Sequence, residues 1–123
     1  MGTLLFPELS YQIVGVLFTV YNNLGYGYQE KYYQRALTRE FENAHLRYKR
    51  ERKVIIKYRD RIIGRYFIDF VIENSVVLEI KVCNQFFDRD IKQVLAYLKS
   101  TGLRLGILCI FTKQGIQFKR LAN

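Results

Sequence analysis

Histidine occurs once, cysteine twice, proline once and tryptophan not at all in the 123 residues. Cys83 and Cys109 follow no metal-ligand or redox spacing, which excludes a cysteine-based metal or dithiol site. Each lies beside apolar residues and reads as a small buried hydrophobe in a reducing, cytoplasmic setting. His45, the only histidine, falls near an expected helix end and is given no role. A long hydrophobic run is also missing. The N-terminal apolar stretch from Ile13 to Val20 has Glu8 before it, and Lys31 is the first basic residue. That pattern is neither a signal peptide nor a membrane span. With no internal repeat, low-complexity segment or linker, we expect a single domain over residues 1–123 built on one core.

Acidic residues are scarce as well. There are 11 Asp and Glu against 20 Lys and Arg, a net charge of +9, so the partner class favoured is a polyanion. Half of the residues are apolar and a quarter charged, the balance of a folded globular chain. The positive charge is concentrated: Arg47, Lys49, Arg50, Arg52, Lys53, Lys57, Arg59, Arg61 and Arg65 face only Glu51 and Asp60 in that stretch. Tyr48, Tyr58 and Tyr66 are interleaved. Such a surface tracks a phosphate backbone and offers rings to bases, a reading we favour over that of a solvated strand pair with a basic outer face.

Hydrophobic periodicity orders the chain as two helices, three strands, a helix and two strands. Ile13, Val14, Leu17, Phe18 and Tyr21 mark the first helix, with Ser10 as N-cap and Gly25 or Gly27 as its stop. Tyr33, Ala36, Leu37 and Phe41 stripe a second, from about Tyr28 to His45. Short β-branched and aromatic runs follow, broken at Arg59-Asp60 and at Glu73-Asn74-Ser75. Ile91, Val94, Leu95 and Leu98 stripe a third helix, with Asp88 as N-cap and Gly102 as C-cap. Leu105 to Phe111 and Ile116 to Leu121 form a last hairpin. The fold class expected is α/β, one mixed sheet with an antiparallel hairpin flanked by helices.

The hairpin Tyr66 to Val82 carries the chemistry. If Glu73, Asn74 and Ser75 form its loop, Asp69 lies opposite Glu79, with Cβ atoms about 4.5–5.5 Å apart. Lys81 shares the face of Glu79, while Ile68, Phe70, Ile72, Val76, Leu78 and Ile80 form a wholly apolar opposite face. Phe67, Val71 and Val77 make even the acidic face largely apolar, so both sides should be covered. Two desolvated carboxylates repel, and a divalent cation relieves that conflict. A metal-free Asp69–Lys81–Glu79 ion network at a sheet end fits the hairpin equally well.

Asp69, followed after nine residues by Glu79-Ile80-Lys81, resembles the D…(D/E)xK signature of the PD-(D/E)XK nuclease superfamily. Ile68 stands where the name has proline. Gly27-Tyr28-Gln29-Glu30-Lys31-Tyr32-Tyr33 is similar to the motif of the GxxExxY branch, as is Val20 to Gly27 ahead of it, although Tyr21 replaces an expected histidine. Gln93 to Lys99 resembles the family's glutamine-bearing helix, and Gly106 through Arg120 its ending.

The resemblance covers nearly the whole chain and implies a restriction-endonuclease-like core. It implies Asp69 and Glu79 as Mg²⁺ (or Mn²⁺) ligands, with the Ile80 carbonyl beside them. Glu30 becomes an outer carboxylate, bound directly or through water, and Lys81 the catalytic lysine. Gln93 and Tyr97 match a QxxxY element beside the site. Tyr33 is expected in the core. The activity implied is metal-assisted phosphodiester hydrolysis, on DNA in preference to RNA. Two other readings stay open: a catalytically silent nucleic-acid-binding module, and a protein-interaction subunit, such as a homodimer, that keeps the fold.

Overall fold

The computed structural model describes residues 5–123. Its elements run α1 (Pro7–Leu24), α2 (Glu30–Asn43), β1 (Tyr48–Tyr58), β2 (Arg61–Ile72), β3 (Val76–Val82), α3 (Asp88–Thr101), β4 (Leu105–Thr112) and β5 (Gly115–Ala122). The strands form one sheet in the order β1-β2-β3-β4-β5. Only β3 and β4 are parallel, joined by α3 as a crossover; the other neighbours are antiparallel.

Two expected caps are displaced. α1 begins at Pro7, whose fixed φ suits the first helical position, so Ser10 lies inside the helix, buried, with its N–H on the Phe6 carbonyl. Asp88 is the first helical residue of α3 rather than its cap, and Phe87 holds the cap position without a side-chain bond. Gly102 ends α3 as expected, in the left-handed region at φ 76°.

Helices cover both faces of the sheet. Ile13, Leu17 and Val20 of α1 with Tyr33, Leu37 and Phe41 of α2 pack on Phe70, Ile72, Leu78, Ile80, Ile107 and Cys109. Val94, Tyr97 and Leu98 of α3 pack on the other face against Val54, Ile68, Val71, Val77 and Leu108. β4, enclosed on both sides, is buried at every position. Helix α3 approaches β4 closely at Gly106, where an added Cβ would stand 2.5 Å from Cγ1 of Val94.

The two covers also reveal a break in β2. Ile68 and Phe70 should share a face, yet Ile68 joins the α3 cluster and Phe70 the α1/α2 cluster. β1 changes face at the same level: Arg50 lies over the Phe70 ring at 5.1 Å, whereas Val54 packs beneath α3. Between them Glu51 has a φ of 53°, and no ladder pair joins Glu51 to Asp69. An irregularity of this kind re-aims the side chains on either side of it. The apolar face expected from strict alternation is therefore interrupted at Asp69. Phe67 turns away from α3 and is 56% exposed instead of covered.

Candidate active site

The site forms where β2 and β3 part. Their ladder holds the expected register through Ile72↔Val76, Val71↔Val77 and Phe70↔Leu78, then stops. Asp69 and Glu79 are the next residues, and their carboxylates replace the missing strand bonds. The Asp69 N–H donates to Glu79 Oε1 at 2.7 Å, and the Ile80 N–H donates to Asp69 Oδ2 at 3.0 Å. The turn that sets this register places Glu73 and Asn74 both at φ 52°, closed by the Ser75 N–H on the Ile72 carbonyl.

Burial pushes both acids toward the protonated form, and the Asp69 charge pushes Glu79 further. Glu79 is almost wholly buried. Desolvation first, then the Asp69 charge, push its carboxyl up to about 9, against the pull of the Asp69 N–H and Lys81. Desolvation also raises Asp69, partly offset by the Ile80 N–H, Glu79 and Lys81. The pair thus favours holding a proton between its members.

Glu30, the first residue of α2, is within electrostatic reach of this pair. Its carboxyl is raised by burial first and by Asp69 next, with Lys81 opposing. The motif around it has a physical explanation. Gly27 takes φ 118°, open to glycine alone at no cost. The Tyr33 hydroxyl, buried as expected, donates to the Gly25 carbonyl at 2.5 Å and accepts the Tyr28 N–H at 3.3 Å. That pins the loop from which Glu30 opens the helix. A chain of bonds then steadies Glu30: its Oε2 accepts from Gln34 Nε2 at 3.4 Å, and Gln34 Oε1 accepts from Arg50 Nη2 at 2.9 Å. Tyr21, in the place of the expected histidine, donates its hydroxyl to the Thr112 carbonyl.

On the α3 side a cleft of about 590 Å³ opens beside Lys81, walled by Tyr66, Arg89, Lys92, Gln93 and Tyr97. The structure thus brings Gln93 and Tyr97 to Lys81. Burial, then Glu79 and Asp69, hold the Tyr97 hydroxyl protonated far above its ordinary range. Tyr66 of β2 meets Tyr97 edge-on, with centroids 6.0 Å apart. Arg89, Lys92 and Asp90 also line the cleft, outside the motifs that mark the other site residues. Their signal was there, since Arg89 and Lys92 precede Gln93 by four residues and one residue on the same helix, and Asp90 precedes it by three. Asp90 further raises the Glu30 carboxyl.

The basic stretch divides in three. Arg47 is held by Glu73 at 3.1 Å beside the β2–β3 turn, with Lys49 nearby and both away from the cleft. Arg50 turns inward to Gln34 and exerts its charge on Asp69. Arg52, Lys53, Lys57, Arg59, Arg61 and Arg65 stand exposed on the β1–β2 hairpin. Among the described residues, no set of three or more His, Cys, Asp and Glu side chains stands at metal-holding distances. The donors at hand are the free oxygens of Asp69 and Glu79 with the Ile80 carbonyl. That carbonyl lies on the same side of β3 as the Ile80 N–H and so faces the gap. Two carboxylates and a main-chain oxygen make a set of hard donors that suits Mg²⁺ or Mn²⁺ completed by water.

A family model for the PD-(D/E)XK nuclease superfamily matches residues 7–121. The chain belongs to the PD-(D/E)XK nuclease superfamily. Solved structures show the same fold. The crystal structure of SSO0001 superposes with a TM-score of 0.63 at 17% identity, over 96% of this chain and 59% of that one. The alkaline exonuclease LHK-Exo from Laribacter hongkongensis gives 0.51 at 11% identity, over 93% of this chain and 82% of that one. This nuclease-superfamily chain thus spans a little over half the length of SSO0001. No curated protein sequence matches it. No helix among the described residues is long and apolar enough to cross a membrane.

Proposed function

We propose that this protein is a nuclease that hydrolyses phosphodiester bonds, DNA in preference to RNA, with Mg²⁺ or Mn²⁺ held by Asp69, Glu79 and the Ile80 carbonyl. The reciprocal bonding of Asp69 and Glu79 across the gap carries this reading, because it holds two desolvated carboxylates together beside a basic cleft. Membership of a nuclease superfamily supports it, and so does the fold shared with an alkaline exonuclease. A bound divalent ion supplies Lewis acidity and a water of lowered pKa. The chain's own groups do the rest. Lys81 presents its ammonium at the mouth of the cleft, where it stabilises charge developing on a phosphate. Glu30 orients water from the α2 side, held by Gln34 and Arg50. Gln93 and the protonated Tyr97 offer hydrogen bonds along the opposite wall.

Within the superfamily, the Gly27–Tyr33 motif supports a reading as a member of the GxxExxY branch, a single nuclease domain of a reducing, cytoplasmic compartment. A second reading has a specific observation in its favour. Each acid of the pair is already satisfied on one oxygen by a main-chain N–H, which favours a silent nucleic-acid-binding module. Incubating labelled DNA and RNA with Mg²⁺, Mn²⁺ or EDTA separates the two. The nuclease cleaves only with metal, and Asp69→Asn abolishes cleavage. Binding that survives EDTA with no cleavage under either metal selects the silent module.

A further inference from the structure

Beyond Asp69 the β1–β2 hairpin leaves the body of the sheet. β1 is the sheet edge, and β2 pairs with β3 only from Phe70 onward. From Arg52↔Ile68 to Tyr58↔Arg61 the two strands pair only with each other. Seven residues of β1 and eight of β2 make a ribbon roughly 20 Å long. Its turn, Arg59-Asp60, has φ of 47° and 67°, the left-handed pair of a tight hairpin. Near its base one face rests on α3 through Val54, Ile56 and Ile68. The other face and the tip are free.

The free surface has a definite chemistry. Arg52, Lys53, Lys57, Arg59, Arg61 and Arg65 oppose only Asp60, and no carboxylate pairs with any of them among the described residues. Between these charges stand large apolar side chains: Tyr58 is 60% exposed, Ile62 51% and Ile63 65%. Apolar groups at the tip of a basic arm are a cost in water that contact with base edges removes.

We infer that this ribbon enters the major groove of double-stranded DNA, which makes a duplex the substrate. The inference rests on the nuclease reading of the site, because Tyr66 belongs to the ribbon and also walls the cleft. The B-form major groove, about 12 Å wide and 8.5 Å deep, admits a two-stranded ribbon. Cations on both strands then reach the phosphates on both rims, and the isoleucines meet base edges and thymine methyl groups. The deep, narrow major groove of duplex RNA does not admit such an arm. A single strand presents one backbone and leaves half of the charges unanswered.

The test is fluorescence anisotropy in metal-free buffer, with a DNA duplex, one of its strands, and the matching RNA duplex. Methyl green serves as major-groove competitor and netropsin as minor-groove competitor. The variant is Ile62→Ser combined with Ile63→Ser, both exposed and outside the core. Expected is duplex DNA bound at least about tenfold tighter than either alternative, and a loss of about tenfold in the variant, the size of one mismatched base contact. Methyl green displaces the protein and netropsin does not. Hydrolysis of bis(4-nitrophenyl) phosphate with Mn²⁺ is unchanged in the variant. Equal binding of strand, RNA and duplex overturns the inference, as does wild-type affinity in the variant or displacement by netropsin alone. Groove binding with no hydrolysis of any phosphodiester counts against the nuclease reading and leaves the ribbon's partner as stated.

Discussion

The Asp69 N–H is bonded to the Glu79 carboxylate at 2.7 Å, and through Ile80 the favour is returned: its N–H is bonded to the Asp69 carboxylate. Two acids therefore stand in for the strand pairing that β2 and β3 give up. Stability, proton uptake and the proposed metal site meet at this one junction.

The first prediction concerns pH. In the unfolded chain Glu79 titrates near 4.5, and in the folded protein near 9. The folded state thus holds the extra proton between those values, so this group's stabilisation is complete below pH 4.5 and declines as pH rises toward 9. The upward shift of Asp69 acts in the same direction. Glu79→Gln cannot titrate. In metal-free buffer its melting temperature should match wild type near pH 4.5 and exceed it increasingly toward pH 9. Parallel melting curves across that range would show that Glu79 is ionised in the folded protein.

Metal should reverse the strain. On the proposed site, millimolar Mg²⁺ or Mn²⁺ should bind the folded state alone and raise the melting temperature of wild type at neutral pH. Asp69→Asn, which removes one charge of the pair, should show no such rise. A wild-type melting temperature indifferent to either ion would remove the metal from the proposal.

Lys81 separates chemistry from architecture. It lies half-buried at the cleft, and Lys81→Met keeps most of the stem. Cleavage should fall by about 10²–10³, the usual loss for one preorganised charge, while the metal-induced melting shift persists. If instead the variant melts far below wild type and the wild type cleaves nothing, the lysine is part of a structural ion network.

Salt dependence tests the ribbon cations. Affinity for duplex DNA should fall steeply with ionic strength, and Arg61→Ala should reduce the log–log slope by about one unit. Arg47→Ala, removing a residue already engaged by Glu73, should change it much less. Equal slopes in all three proteins would place the phosphate contacts elsewhere.

Gly106 tests the packing that positions α3. A methyl group there would meet Val94 at 2.5 Å. Gly106→Ala should cost about 1–3 kcal/mol, as overpacking of a close-packed core does, and urea titration would report it. An unchanged unfolding midpoint would mean that α3 shifts freely on β4.

Much of this was legible in the residues. Alternation and helical stripes are local properties, so the element order could be read directly, and so could the hairpin register, since a turn at Glu73–Ser75 sets every pair after it. The acids Asp69 and Glu79 and the lysine two residues on were visible for the same reason, and the Gly27–Tyr33 motif through its resemblance to a known family. What the residues could not announce is where pairing stops. Glu51 adopts a left-handed backbone without being glycine, and strand alternation then resets at Asp69. That reset is a property of neighbouring strands, not of either run alone. It frees the Asp69 N–H for Glu79 and releases the basic run as a ribbon with two unpaired edges. The same holds for Asp90, Arg89 and Lys92, which reach the site only because the crossover helix lies across the sheet. Local pattern determined which side chains exist to do chemistry; tertiary contact decided which of them meet.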